Sequence, residues 1–388
     1  MNQPSPPRST TAPPAAPRPA PPGVAAPAAP LEVGRALSAR VLIVGLLLIP
    51  LNCYWIIQME RVRQGPYVTS ISLFANVVFI LLLFVAWNAL LRRWQPRLAL
   101  RRGELLLIYV MLSISSGICG MDFVQVLMQI IAFPFYFATP GNHWADTLFP
   151  ILPWWLTVRN PGAITPFFRG QSTLYTREHL MAWLVPTLCW VAFGTVLIGV
   201  MMCLNVLFRR QWVDRERLTF PVIHLPLEMI DNPGPLFRSR LMWGGFALAA
   251  SISLLNGLSY LFPAVPSIQV TEYDLSPFIT SKPWSAVGWT PVAFYPFAIG
   301  LGFLLPVDLL FSCWFFYLYW KLQLVVSNAL GWDVTPQFPY VPEQVFGAVV
   351  AIGLSLLWSG RSYLREVWGY VRDGWRGRRV DEGREAIS

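Results

Sequence analysis

Three polar residues, Asp122, Gln125 and Gln129, lie in the second half of a mostly apolar stretch from 104 to 138. Their spacing of i, i+3 and i+7 would place all three on one face of a helix. An ionisable side chain at membrane depth costs about 2.5–3.5 kcal/mol on insertion scales, so Asp122 is a candidate for ion or proton coupling. The same polar stripe could instead hydrogen-bond neighbouring helices. Both interpretations stay open at this point.

A second candidate is Asp308, which follows Pro306 between two apolar halves of the stretch from 288 to 328. Near the membrane midplane its carboxylate could bind a coupling ion or a proton, as in transporters with broken helices. Alternatively, Asp308 could N-cap the helix that begins there, because a carboxylate accepts hydrogen bonds from the first free N–H groups. The two roles are compatible.

His224 and Glu228 lie four residues apart in the segment 219–230, which is too short to span a membrane and too apolar for an ordinary loop. We expect this segment to dip into the membrane or to lie on its surface. On one helical face the two side chains could hold a metal ion or relay a proton. The alternative is an ordinary surface turn. Two ligands are too few to predict a metal site, and no cofactor is predicted.

His143 and Asp146 lie in an aromatic loop, 139–179, and would serve a membrane enzyme that acts on lipid or glycan. The sequence contains no HExxH motif of metalloproteases, no GxSxG motif of serine hydrolases and no phosphate-binding GxxxxGK[ST] motif. We therefore expect no enzyme, and keep the lipid or glycan enzyme as the alternative.

The elements that position these residues are predicted to be membrane spans. Of the 388 residues 55% are hydrophobic and only 13% charged, with a mean hydropathy of +0.50, whereas soluble domains carry about 25% charged residues. We expect an all-α polytopic membrane protein with about eight spans, some of them broken or re-entrant. They cover roughly 41–57, 68–91, 104–121, 180–207, 240–262, 288–305, 307–328 and 343–359.

The net charge of +9 comes almost entirely from arginines that flank the apolar runs. Cytoplasmic loops are enriched in Lys and Arg, so this pattern indicates topology rather than nucleic-acid binding. Eight crossings place every Arg-rich loop in the cytoplasm together with the N-terminus and the C-terminus. No nucleic-acid partner is predicted.

Glycine and proline predict where the spans are interrupted. Gly117 and Gly120 would break the first long apolar stretch, so that Asp122–Phe137 forms a re-entrant or interfacial helix. The stretch from 288 to 328 is about forty residues long, enough for two crossings or for one crossing plus a re-entrant piece. Its predicted breaks are Pro291, Pro296 and Pro306.

Composition divides the chain into three parts. Residues 1–36 form a Pro/Ala-rich arm that is predicted to be disordered, residues 37–360 the transmembrane helical domain, and residues 361–388 a basic amphipathic helix with a polar tail. The five cysteines predict neither a disulfide nor a zinc site. Lys321, near a predicted helix end, is expected to extend its ammonium toward the interface.

Three segments, Arg209–Met229, Leu241–Pro266 and Gly288–Lys321, resemble an uncharacterised bacterial family of multi-pass membrane proteins. That family is distantly similar to the oligopeptide transporter (OPT) superfamily, whose LTFPSG-like motif is matched by Leu218–Pro221 and then departs at Val222 and Ile223. The resemblance implies a fold of many helices that moves small peptides or metal chelates with protons. It also implies longer relatives, so the chain would be the N-terminal half of a carrier.

The function expected from these observations is proton-coupled uptake across the bacterial cytoplasmic membrane. The expected partners are the lipid bilayer, an unknown small solute, protons, and either a second copy or a second membrane half. On this interpretation Asp122→Asn or Asp308→Asn abolishes uptake. Besides the enzyme, a non-catalytic scaffold subunit remains an alternative.

Overall fold

The computed structural model describes residues 38–375 apart from 64–66, 171, 216–219 and 333–337, and the described chain is mostly helical. The predicted N-terminal arm, most of the polar tail and Leu218 and Thr219 of the transporter-like motif lie outside the described residues. The helices, numbered in chain order, are α1 (Ala39–Ile57), α2 (Ala75–Trp94), α3 (Arg102–Cys119), α4 (Val124–Ile130), α5 (Phe133–Tyr136), α6 (Trp144–Thr147), α7 (Pro161–Arg169), α8 (Arg177–Arg210), α9 (Pro221–Asp231), α10 (Pro233–Arg238), α11 (Arg240–Leu261), α12 (Pro296–Gly302), α13 (Val307–Leu330), α14 (Val341–Ser359) and α15 (Arg361–Trp375).

Short irregular elements complete the described chain. Single π-helical turns, Gln58–Val62 and Gln211–Arg215, continue α1 and α8. Strands β1 (Tyr273–Asp274) and β2 (Pro291–Val292) pair antiparallel, with Tyr273 opposite Val292. Two 3₁₀ turns, Ser276–Phe278 and Trp284–Val287, lie between the strands.

Seven of the described helical segments are long and apolar enough to cross a membrane. They are α1 with its π turn, α2, α3 continued through α4, α8, α11, α13 and α14. This confirms the predicted class, an all-α multi-pass membrane protein. The number of crossings and the sides on which the termini lie stay predictions.

The predicted span 288–305 is not one continuous helix. Its first part contains β2, and only Pro296–Gly302 is α-helical. Proline has no N–H to donate and its ring clashes with the preceding turn, so Pro291 and Pro296 prevent a helix from running through them. One long helix, α13, therefore follows a short interrupted segment.

The first apolar core joins α1, α2 and α3, with α9 packed on its edge. Val41, Val77, Ile108, Leu112 and Met229 are among its buried residues. Two ion pairs hold the same helices: Arg40 Nη2 lies 2.8 Å from Glu104 Oε2, and Arg102 pairs with Asp231 on α9. The core thus fixes the ends of α1 and α3 relative to each other.

A second apolar core lies where α4, α5 and α7 meet the beginning of α8. Its buried members include Ile131, Val158, Ile164 and Trp183. Trp190 of α8 donates its indole N–H to Leu156 O at 3.0 Å. Helix α8 is 34 residues long, about 51 Å at 1.5 Å per residue.

The predicted helix from Asp122 to Phe137 is wrong as a single element. Helix α3 ends at Cys119, Gly120 has extended backbone (φ −68°, ψ 177°), and Asp122 lies in a turn. Two short helices follow, and Pro134 occupies the first turn of the second, α5, where its missing N–H is not needed.

Helices α11 and α14 bury none of their described residues against the rest of the chain. Their exposed side chains are large and apolar, as in Phe246, Leu254, Phe346 and Trp358. Such surfaces are suited to hydrocarbon, where apolar side chains need no protein cover.

Candidate functional site

Glu60, in the π turn after α1, carries a carboxylate that is almost fully buried, with 1% of the residue exposed. Its Oε1 accepts hydrogen bonds from Thr69 N and Thr69 Oγ1, each at 2.8 Å, and its Oε2 accepts one from Gln125 Nε2 at 2.8 Å. Burial of a charge is costly unless hydrogen bonds compensate it. The three hydrogen bonds therefore compensate the burial of the Glu60 side chain.

Gln125 connects this carboxylate to a positive charge. Arg61 Nε donates to Gln125 Oε1 at 2.6 Å, while Gln125 Nε2 donates both to Glu60 and, at 3.1 Å, to the carbonyl of Cys119 at the end of α3. The amide thus orients one way, with oxygen toward the guanidinium. Glu60, Arg61, Thr69 and Gln125 are called the Glu60 cluster below.

This geometry links the protonation state of Glu60 to the position of α4. A protonated carboxyl needs an acceptor for its O–H, but Gln125 presents a donor to it. Rotation of the Gln125 amide would turn its oxygen toward Glu60 as an acceptor. The same rotation would turn its NH₂ group toward the Arg61 guanidinium, so that two donors would face each other. A proton on Oε2 would therefore disrupt the contact between Gln125 and either Glu60 or Arg61, whereas a proton on Oε1 could be donated to Thr69 Oγ1.

A second buried polar group, between α1, α2 and α3, lies deeper in the bundle. Asn52 Nδ2 donates to Ser115 Oγ at 3.2 Å and to Ser116 Oγ at 2.9 Å, and Asn76 Nδ2 donates to Asn52 Oδ1 at 2.7 Å. All four residues are buried. In low-dielectric surroundings such bonds fix which faces of the helices meet.

Thr69 reaches Glu60 only because residue 120 is glycine. A Cβ atom at Gly120 would lie 2.7 Å from Thr69 Oγ1 and 2.8 Å from Thr69 Cβ, closer than atoms can pack. The same hydroxyl accepts a hydrogen bond from Met121 N at 3.3 Å. Gly120 therefore ends α3 and also makes room for the Glu60 cluster.

Of the three predicted stripe residues, only Gln125 belongs to the Glu60 cluster. Asp122 and Gln129 are exposed, whereas Gln125 is 8% exposed. Asp122 precedes α4, so the prediction that the three share one helical face is wrong. The reason is the turn after Gly120, which interrupts the helical spacing.

Asp308 is exposed in the first turn of α13, whose N-cap residue is Pro306. The alternative in which Asp308 caps that helix is therefore wrong: no side-chain cap hydrogen bond is present. A carboxylate in the first turn still interacts favourably with the helix dipole. Its role in coupling stays a prediction.

His224 and Glu228 do lie on a helix, α9, and both are exposed. Glu228 Oε2 accepts from Asn232 Nδ2 at 3.2 Å. Among the described residues no group of three or more His, Cys, Asp or Glu side chains could hold a metal ion.

The pair suggested for the enzyme alternative, His143 and Asp146, is close but open to solvent. His143 Nδ1 lies 3.9 Å from Asp146 Oδ2, and the two side chains are 72% and 84% exposed. An exposed pair of this kind lacks the water exclusion that strengthens electrostatic catalysis.

Four of the five predicted helix breaks lie at the ends of elements. Gly120 is the C-cap of α3, Pro296 begins α12, Pro306 precedes α13 and Pro291 is in β2. Gly117 is a correction: it lies inside α3 and interrupts nothing.

Lys321 does not extend to the interface as predicted, and is 7% exposed half-way along α13. Its Nζ donates to Val287 O at 2.8 Å and Trp289 O at 2.6 Å, and lies 4.6 Å from the centre of the Trp320 ring. Because the segment around β2 has few helical hydrogen bonds, Lys321 supplies donors to its carbonyls.

Asp274 of β1 anchors the other edge of this segment. Its Oδ1 accepts from Thr290 N at 3.0 Å and its Oδ2 from Ser276 Oγ at 2.5 Å. The Ser276 hydroxyl, followed by the backbone N–H groups of Ser276 and Thr290, lowers the pKa of Asp274 below its usual value of 3.8.

The model of one protein family matches residues 32–388, nearly the whole chain. The chain belongs to DUF6785, a family of unknown function. No curated protein and no solved structure matches this DUF6785 member. The predicted uncharacterised membrane family is thereby confirmed, while the similarity to oligopeptide transporters stays a prediction.

Sequence reasoning missed Glu60 and assigned Lys321 to the wrong environment. Glu60 comes after the last apolar residues of α1 and is followed by Arg61 and Arg63, so it resembles an interfacial loop residue. The sequence does contain a signal for Glu60, which is the one acidic residue between Ala39 and Tyr67. Its partner Gln125 lies close to Gly120, where a helix break was predicted.

Proposed function

We propose that this membrane protein is a proton-coupled transporter of small solutes, in which Glu60 is the group that gains and loses the proton. The observation that carries the proposal is the Glu60 cluster: a buried carboxylate at the end of a membrane-spanning helix, connected through Gln125 to Arg61. Ionisable groups inside membrane bundles are commonly proton or ion sites.

The cluster has the property that proton coupling needs, two protonation states with different contacts. Ionised Glu60 holds Thr69 and Gln125, and so joins the end of α1 to the junction of α3 and α4. A proton on Oε2 of Glu60, the oxygen that faces Gln125, would weaken that junction. A proton can bias a conformational equilibrium only by binding the two states with different affinity.

The interrupted segment before α13 supports the proposal that proton movement drives solute transport. Broken backbone at membrane depth exposes carbonyls and helix ends, which transporters use to bind ions and solutes. Here Lys321 occupies two of those carbonyls. A conformational change that moved the ammonium would make them available.

The first solutes to test are short peptides and metal chelates, which the resemblance to oligopeptide transporters suggests. On this proposal the protein resides in the bacterial cytoplasmic membrane, with both termini in the cytoplasm. The unburied surfaces of α11 and α14 leave room for a second copy or a second membrane half.

The test is solute-dependent proton entry into proteoliposomes that contain the full chain and a trapped pH-sensitive dye. We expect dipeptide or metal-chelate mixtures to acidify the lumen, and Glu60→Gln to abolish the signal. Glu272→Gln is the matched control, because Glu272 is an exposed acid outside the spans and should retain activity.

Proton entry that persists in Glu60→Gln would refute the assignment of Glu60. Asp122→Asn and Asp308→Asn in the same assay test the two remaining predicted sites. No proton entry with any solute in the unaltered protein would favour the scaffold or the enzyme acting on lipid or glycan.

A further inference from the structure

A groove of about 560 Å³ runs between α1 and α2 and opens to the surface of the bundle. Residues from Leu48 to Arg63 line one side and residues from Phe79 to Phe84 the other. Asn52, of the buried polar group described above, also borders it. The rings of Trp55 and Phe79 meet edge to face across it, with centroids 5.7 Å apart.

The groove is polar at one end and apolar along the rest of its length. Gln58 and Arg63 line the end at the π turn, whereas Leu48, Leu51 and Leu83 line the other. The side chain of Arg63 is exposed and makes no hydrogen bond or ion pair within the described part of the chain, whereas its backbone N–H donates to Gln58 O at 3.0 Å. Arg61, by contrast, is committed to Gln125.

The dimensions match one lipid chain. From Leu48 to Arg63 the chain rises about 22 Å. This length is sufficient for one acyl chain, because half of the hydrocarbon layer measures about 15 Å. Beyond Leu83 and Phe84 a second apolar depression of about 580 Å³ continues along α2 past Trp87 and Leu90. A chain that enters beside Arg63 can therefore stay on protein surface to the membrane centre.

We propose that this groove binds an anionic phospholipid, with its phosphate on Arg63 and Gln58 and one acyl chain along Leu51 and Leu83. A free guanidinium at the membrane–water boundary is the group that complements a phosphate, since it offers paired N–H donors and a permanent charge. Aromatic rings at that depth fit the region between headgroup and chain.

Binding there would influence the Glu60 cluster without touching it. Arg63 and Glu60 belong to the same irregular stretch after α1. A lipid phosphate on Arg63 would hold that stretch against α2. Lipid recognition is independent of the proposed transport activity and can hold even if transport does not.

The test uses the purified full chain and a phosphatidylglycerol that carries a photoactivatable diazirine in one acyl chain. We expect cross-links at 48–63 and 79–84. Unlabelled phosphatidylglycerol should compete about tenfold better than phosphatidylcholine, because the choline ammonium offsets the negative charge of the phosphate beside Arg63. Arg63→Gln should bring the two competitors to parity. Leu51→Trp, which fills the groove, should remove the cross-links without a change of charge.

The matched control is Arg177→Gln, which removes an exposed arginine at the start of α8 and should keep the tenfold preference. Cross-links spread evenly over α11 and α14 would mean ordinary boundary lipid and would overturn the proposal. Equal competition by the two phospholipids in the unaltered protein, or an unchanged preference in Arg63→Gln, would overturn the role of Arg63. Equal competition by a fatty acid would exclude a phosphate-specific site.

Discussion

The side-chain amide of Gln125 donates to the carboxylate of Glu60 at 2.8 Å, and so connects residues that are 65 positions apart in the chain. The bond closes the region where α1 ends and α3 turns into α4. Both partners are buried, so neither can exchange the other for water without local opening. A change in the charge of Glu60 would therefore act directly on this junction.

Removal of the Gln125 amide should therefore destabilise the protein. Gln125→Leu leaves Glu60 one donor short and frees the carbonyl of Cys119, which costs about 1–3 kcal/mol for a buried unpaired group. Thermal and denaturant unfolding in detergent measure this loss of stability. Gln129→Leu, on the same short helix but exposed, should change stability by less than about 0.5 kcal/mol; equal effects of the two would contradict the role given to Gln125.

Two glycines near the end of α3 should respond in opposite ways. Gly120→Ala forces Thr69 away from Glu60 and should cost about 1–3 kcal/mol, as overpacking does. Gly117→Ala places its Cβ in ordinary contact, 3.7 Å from Phe74, inside a helix, and should stabilise by up to about 1 kcal/mol. The free energies of unfolding of the two variants, measured side by side, test this prediction. Destabilisation by Gly117→Ala but not by Gly120→Ala would contradict it.

Lys321→Met should loosen the interrupted segment, because Val287 and Trp289 lose the donor to their carbonyls. We expect amide hydrogen exchange at 284–295 to accelerate about tenfold, equivalent to roughly 1.4 kcal/mol. Exchange in α1 to α3 should stay unchanged. Lys282→Met, an exposed lysine in the same loop, is the control, and acceleration by that variant as well would point to a general charge effect.

Low pH should break the hydrogen bond that the Thr290 amide donates to Asp274. A lowered pKa in the folded protein means that the contribution of ionised Asp274 is complete above its ordinary value of 3.8 and is lost only as pH falls through the lower folded value. The Thr290 amide should thus stay protected from exchange at pH 5 and lose protection below about pH 3.8. Asp274→Asn should lack this pH step, and a step near neutral pH in the unaltered protein would contradict the assignment.

The long spans could be predicted because composition alone determines them: the expected 41–57 and 343–359 compare with Ala39–Ile57 and Val341–Ser359. The candidate site could not. Glu60 and Lys321 act through contacts with residues 65 and 34 positions away, and local pattern contains no information on such pairs. Gly120 was identified as a break, but its second role requires knowledge that Thr69 lies against it.

Helix α8 is longer than a bilayer is thick. At a typical tilt of about 20°, some 21 residues cross a 30 Å hydrocarbon layer, so about 13 of its 34 residues extend beyond it. The second apolar core packs on the first turns of that helix, from Trp183 to Trp190. Helix α8 therefore has two structural roles: its first turns support the second apolar core, and the turns that follow are long enough to cross the hydrocarbon layer by themselves.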